Sequence, residues 1–145
     1  MNKILSAAKE VIQRTGSDNI YDVLESLGIE INHKDFKNVK TQSCLMKNYE
    51  NHFSIFIRRN LDYRYEQFLL AHELGHYILH HDENVSFYFL EGLYANRLER
   101  EANTFACCFL LSDIDYRELE FIENMDCIIK EKGIPIDIWY SLNNL

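Results

Sequence analysis

The chain has 145 residues, 47% of them apolar and 13% aromatic, which suits one compact domain, residues 1–145, with a sizeable core. Its 15 basic and 23 acidic residues leave a formal charge of −8, and the absence of a basic block argues against tracking nucleic-acid phosphates as the main activity. No apolar run approaches membrane-spanning length, and charges return at Lys9-Glu10, too soon for the apolar stretch of a secretory signal; a cytoplasmic address is expected.

From the N-terminus, Ile4, Leu5, Ala8, Val11 and Ile12 fall on one face of a helix over residues 2 to 14, with Thr15-Gly16 as its stop. A second short helix follows Ser17-Asp18, carries Ile20, Val23, Leu24 and Leu27, and ends at Gly28. The period then changes to two. Ile29-Glu30-Ile31 reads as a short strand, and residues 41 to 47 and 52 to 57 read as a hairpin around Asn48-Tyr49-Glu50-Asn51, with Phe53, Ile55 and Ile57 on the core face.

A helix over residues 62 to 80, capped by Asn60 or Asp62, contains His72-Glu73-Leu74-Gly75-His76. Two histidines four residues apart lie one turn above each other, so both imidazoles reach one tetrahedral metal, most often zinc, while the glutamate between them addresses a metal-bound water. The alternative, two core histidines beside an apolar stripe, leaves the intervening glutamate unexplained. Gly75 costs about 1 kcal/mol relative to alanine in mid-helix, so close approach of a strand or substrate is expected there. His80 continues the series, but a helix rises about 12 Å over eight residues, too far for a third imidazole on the same ion. His80 is therefore expected to support the site or the fold.

Residues 81 to 93 form an acidic, aromatic loop of a length that often carries function and could roof a cleft. The next helix, near 95 to 111, has the apolar face Leu98, Ala102, Phe105 and Phe109, bordered by Glu99 on one side and Glu101 on the other. A catalytic zinc takes three protein ligands and needs one more, yet periodicity does not choose between these two glutamates. A further helix is expected near 113 to 132 with Leu119, Ile122, Met125 and Ile129, ended by Gly133, and a last one from Pro135 to about Asn144. Cys44, Cys107, Cys108 and Cys127 show no Cys-x-x-Cys spacing, which favours buried thiols over disulfides or a Cys-ligated zinc. The elements add up to an α+β fold: a mostly helical single domain with a small antiparallel sheet beside the metal helix.

His72-Glu73-Leu74-Gly75-His76, a gap of about two dozen residues, then Glu101-Ala102-Asn103-x-Phe105-Ala106 with Leu110-Leu111 soon after, resembles the ImmA/IrrE family of metallopeptidases. The resemblance implies a thermolysin-like, minimal zincin site with His72, His76 and Glu101 on zinc and Glu73 as catalytic base. It also implies a zinc-dependent endopeptidase that cleaves a cognate helix-turn-helix repressor and so derepresses phage or mobile-element genes, with no direct contact to nucleic acid or membrane. The rival is a non-catalytic domain that binds a repressor or antitoxin-like partner around a structural metal. His52, Tyr88 and Tyr94 are candidates for stabilising the oxyanion, and a substrate strand is expected to pair with residues 52–57.

Overall fold

The computed structural model describes the backbone of residues 2–48, 50–80, 92–115 and 125–143 and, within these, the side chains other than those of residues 2 and 92–96. In chain order the elements are α1 (Asn2–Thr15), α2 (Ile20–Ser26), β1 (Glu30–Lys34), β2 (Ser43–Lys47), β3 (Phe53–Arg58), α3 (Tyr63–His80), α4 (Gly92–Leu110), α5 (Met125–Glu131) and α6 (Ile136–Asn143). The expected roof over residues 81–91 and most of the first half of the expected helix 113 to 132 lie outside the described residues.

The α+β expectation holds, with one correction to the sheet. It is mixed, in the order β1-β3-β2, with β3 antiparallel to β2 and parallel to β1. The hairpin forms as its turn chemistry dictates: Asn48 Oδ1 accepts from the amides of Glu50 and His52, and Asn51 takes a positive φ of 63°. The parallel pair requires the chain leaving β1 to cross the end of β3 before starting β2. Arg58, the last residue of β3, holds that crossing, its guanidinium donating to the carbonyls of Asn38 and Thr41 at 2.8 and 2.7 Å. β3 is thus central, and the main-chain edge of 52–57 is already used on both sides. Among the described residues the outer edges of the sheet are those of β1 and β2, so a substrate strand would not pair with β3.

Asp62, not Asn60, caps α3: its Oδ2 accepts from the amides of Arg64 and Tyr65 at 3.1 and 3.3 Å. Every residue from Phe68 to His76 is buried, so α3 runs through the centre of the fold and not along its surface. The sheet covers it on one side with Leu45, Ile55 and Ile57, and α4 covers another with Phe105, Ala106 and Phe109. Full burial of one such leucine, isoleucine or phenylalanine contributes roughly 1.5–3 kcal/mol. Glu66 at the start of α3 ties in two further elements, accepting from Tyr21 Oη at 2.6 Å and His33 Nε2 at 2.7 Å.

At Gly75 α3 approaches α4 closely. A Cβ there would stand 3.0 Å from Phe105 Cβ and 3.1 Å from the Ala102 carbonyl oxygen. The missing side chain therefore serves a helix, where a strand or substrate was expected. It seats the histidine helix directly against the glutamate helix.

Candidate metal centre

Among the described residues, His72, Glu73 and His76 form a buried group whose ligand-type atoms all lie within 4.8 Å of one another. The i, i+4 spacing turns both imidazoles toward α4, where Glu99 meets them. Its Oε1 is 2.9 Å from His76 Nε2 and its Oε2 is 3.2 Å from His72 Nε2. Glu101, to which the family resemblance gave the third ligand position, faces elsewhere: its Oε1 lies 3.2 Å from His80 Nε2. Residues 99 and 101 are about 200° apart around a helix, so only one of them can address the imidazole pair. The register set by packing Ala102 against Gly75 selects Glu99.

Both histidines are also held from behind. Asn103 Oδ1 lies 2.7 Å from His72 Nδ1, and His76 Nδ1 lies 3.0 Å from His80 Nδ1. Glu99 and Asn103 are themselves an i, i+4 pair, so α4 presents a carboxylate and a carboxamide on the face that α3 meets with two imidazoles. The Glu99–Asn103 spacing is the signal in the sequence that favours Glu99 over Glu101. Ser43, at the start of β2, donates from Oγ to Glu73 Oε2 at 2.7 Å; nothing local in the sequence links these two residues, which are 30 positions apart.

Burial opposes the charged form of His72, but its hydrogen bond to Glu99, the charges of Glu73 and Glu99 and the bond to Asn103 outweigh it, and its pKa is pushed up to about 9. Burial likewise works against the Glu99 carboxylate, yet its two histidine partners hold it well below the usual carboxylate range. The pocket thus stabilises a cation facing Glu99. Two ligands about 2.0–2.1 Å from a tetrahedral ion are about 3.4 Å apart, so the observed 2.9 and 3.2 Å nitrogen–oxygen separations would open by only a few tenths of an ångström to admit one. The residues fit zinc.

These side chains line a cleft of about 370 Å³ that is bordered by Ser43 and Cys44 of β2 and by Gln42 just before it. Among the described residues, Gln42 Oε1 is a buried side-chain oxygen with no hydrogen-bond partner. Of the oxyanion candidates, His52 is exposed in the hairpin turn and does not line the cleft, while the side chains of Tyr88 and Tyr94 lie outside the described residues. None of the four cysteines forms a disulfide, but Cys127 is exposed, against the expectation of a buried thiol. No helix among the described residues is long and apolar enough to cross a membrane.

Two imidazoles from one helix, a carboxylate from the next and a glutamate beside them form the donor set used by metal-dependent hydrolases. Residues 24–130 match the profile of the IrrE N-terminal-like domain, a peptidase family, and the chain belongs to that family. It is 36% identical over 88 residues, 58% of this chain and 54% of the other, to a protein of Bacillus phage phi105 named uncharacterized immunity region protein 2. It is 30% identical over 109 residues, 72% of this chain and 61% of the other, to metallopeptidase ImmA of Bacillus subtilis strain 168. The alignments therefore span 54% and 61% of the lengths of these two relatives.

Proposed function

We propose that this chain is a zinc-dependent endopeptidase, with His72, His76 and Glu99 as metal ligands and Glu73 as catalytic base. The observation that carries the reading is the Glu99 carboxylate lying across both Nε2 atoms while Asn103 occupies His72 Nδ1. With Nδ1 bonded to Asn103, His72 Nε2 faces a carboxylate oxygen, so the contact calls for positive charge at that point: a proton on Nε2 in the metal-free chain, or a bound metal ion in its place. Zinc bound there would supply an acidified water and a Lewis-acid hold on the scissile carbonyl.

Glu73 takes the proton of the attacking water and passes it to the leaving amine. Ser43 occupies Oε2 of that carboxylate, which leaves Oε1 for the proton and fixes the plane of the group. An extended substrate adds along the outer edge of β2, the side away from β3, which borders the cleft, with Gln42 Oε1 offering an acceptor for a substrate N–H.

The substrate is a cognate helix-turn-helix repressor met in the cytoplasm. The likenesses to a protein named metallopeptidase ImmA and to one named for a phage immunity region support that choice. The test incubates the zinc-loaded protein with the repressor encoded beside its gene and reads the fragments by mass spectrometry. The expected result is one discrete cleavage by the wild type and none by Glu73→Gln, which retains zinc. Stoichiometric binding of an intact repressor would replace the peptidase reading with a sequestering one.

A further inference from the structure

We propose that His80 and Glu101 are positioning residues for the metal site, acting as a hydrogen-bonded relay that fixes which nitrogen of His76 carries the proton. The inference rests on the ligand set of the preceding section. Its observations are three contacts in line: Glu101 Oε1 to His80 Nε2 at 3.2 Å, His80 Nδ1 to His76 Nδ1 at 3.0 Å, and His76 Nε2 to Glu99 Oε1 at 2.9 Å.

The direction of the relay follows from the chemistry of its far end. An ionised carboxylate only accepts hydrogen bonds, so His80 must present N–H from Nε2 to Glu101. A neutral His80 with its proton on Nε2 has a lone pair on Nδ1. Only one hydrogen fits between the two Nδ1 atoms, so His76 Nδ1 is the donor. The remaining nitrogen of His76, Nε2, is then the unprotonated one, and it is the atom that faces Glu99. Glu101 thus determines through two rings that His76 presents a lone pair to the cation position.

Packing alone gives no reason for this arrangement. His80 is 2% exposed and His76 1% exposed, whereas Glu101 keeps a third of its side-chain surface in solvent. An apolar residue at position 80 would fill the space without desolvating a polar ring, and burial of an imidazole is tolerated here because both its nitrogens are bonded. A carboxylate behind a ligating histidine orients the ring and makes it a better donor, and loss of such a partner typically weakens metal affinity about 10- to 100-fold.

The experiment compares wild type, Glu101→Ala and Glu101→Gln by zinc competition against a chelator and by imidazole nitrogen NMR of the zinc-loaded proteins. Circular dichroism of the zinc-free proteins controls for folding, which replacement of a partly exposed side chain should leave intact. For the wild type the expected spectrum shows His80 with its proton on Nε2 and His76 with its proton on Nδ1. Glu101→Ala should bind zinc about 10- to 100-fold more weakly and lose the single His80 tautomer, while Glu101→Gln, whose amide oxygen still accepts, should recover most of both. A wild type that binds no zinc would bring down the metal site itself. A wild type that binds tightly, with Glu101→Ala binding within twofold and showing the same tautomers, would overturn the relay and leave the ligand set standing.

Discussion

Asn103 Oδ1 reaches His72 Nδ1 at 2.7 Å, so α4 grips the first histidine from behind while Glu99, one turn earlier, meets its front at 3.2 Å. The contact fixes the ring's rotation and, on the proposed ligand set, would leave Nε2 to the metal. Asn103→Ala should therefore lower zinc affinity about 10- to 100-fold with little change in fold, whereas Asn103→Asp, which still accepts, should stay near the wild type. Chelator competition on the three proteins measures this.

The division between Glu99 and Glu101 gives a sharper contrast. Glu99→Ala removes an oxygen from each imidazole contact and should leave no stoichiometric zinc after dialysis, as read by elemental analysis. A Glu99→Ala protein that emerged with one tightly held zinc per chain would reassign the third ligand.

How far this site could be read in advance depended on distance along the chain. His72, Glu73 and His76 sit within one helical turn and a half, so their convergence is local and was visible as spacing alone. Which glutamate of α4 meets the two imidazoles depends on the face of α4 that packs on α3, and that is set by Gly75 against Ala102 and Phe105, residues some 30 positions apart. The sheet failed for a similar reason. Alternation in β1, β2 and β3 marked the strands, and Asn48 marked the hairpin, but the parallel pairing of β1 with β3 depends on the crossing that Arg58 holds. Ser43 on Glu73 is likewise a product of tertiary contact. The buried surround of α3 was partly hidden because its apolar stripe suggested one covered face, whereas sheet and helix cover several.

Gly75 sets the spacing between α3 and α4 at the proposed metal site. Alanine at this position gains about 1 kcal/mol of helix propensity, but its Cβ would press on Phe105 Cβ and the backbone of Ala102 at 3.0–3.2 Å. Overpacking of this kind costs about 1–3 kcal/mol, and backbone atoms cannot rotate aside. Gly75→Ala should therefore be neutral to mildly destabilising in thermal melts, yet should weaken zinc binding by widening the gap between α3 and Glu99. Gly75→Val should destabilise clearly. Unchanged zinc affinity in Gly75→Ala would show that the two helices can separate without opening the site.

The His72–Glu99 contact predicts opposite pH responses with and without metal. In zinc-free protein His72 has its pKa raised from 6.5 to about 9, so the stability it contributes is fully present below about 6.5 and is lost as pH rises through 9. Glu99 has its pKa lowered, so its contribution is present above 4.5 and is lost only on acidification well below that. Between 4.5 and 6.5 both contributions coincide, and the melting temperature of chelator-treated protein should then fall from about pH 6.5 to 9. Zinc needs the neutral imidazole, so its affinity should climb across that same interval, with His72 releasing close to one proton per ion bound at pH 7. Calorimetric titration in buffers of different ionisation enthalpy counts that proton. Zinc binding at pH 7 with no proton released would mean that His72 is already neutral when zinc is absent and that Glu99 does not hold it charged.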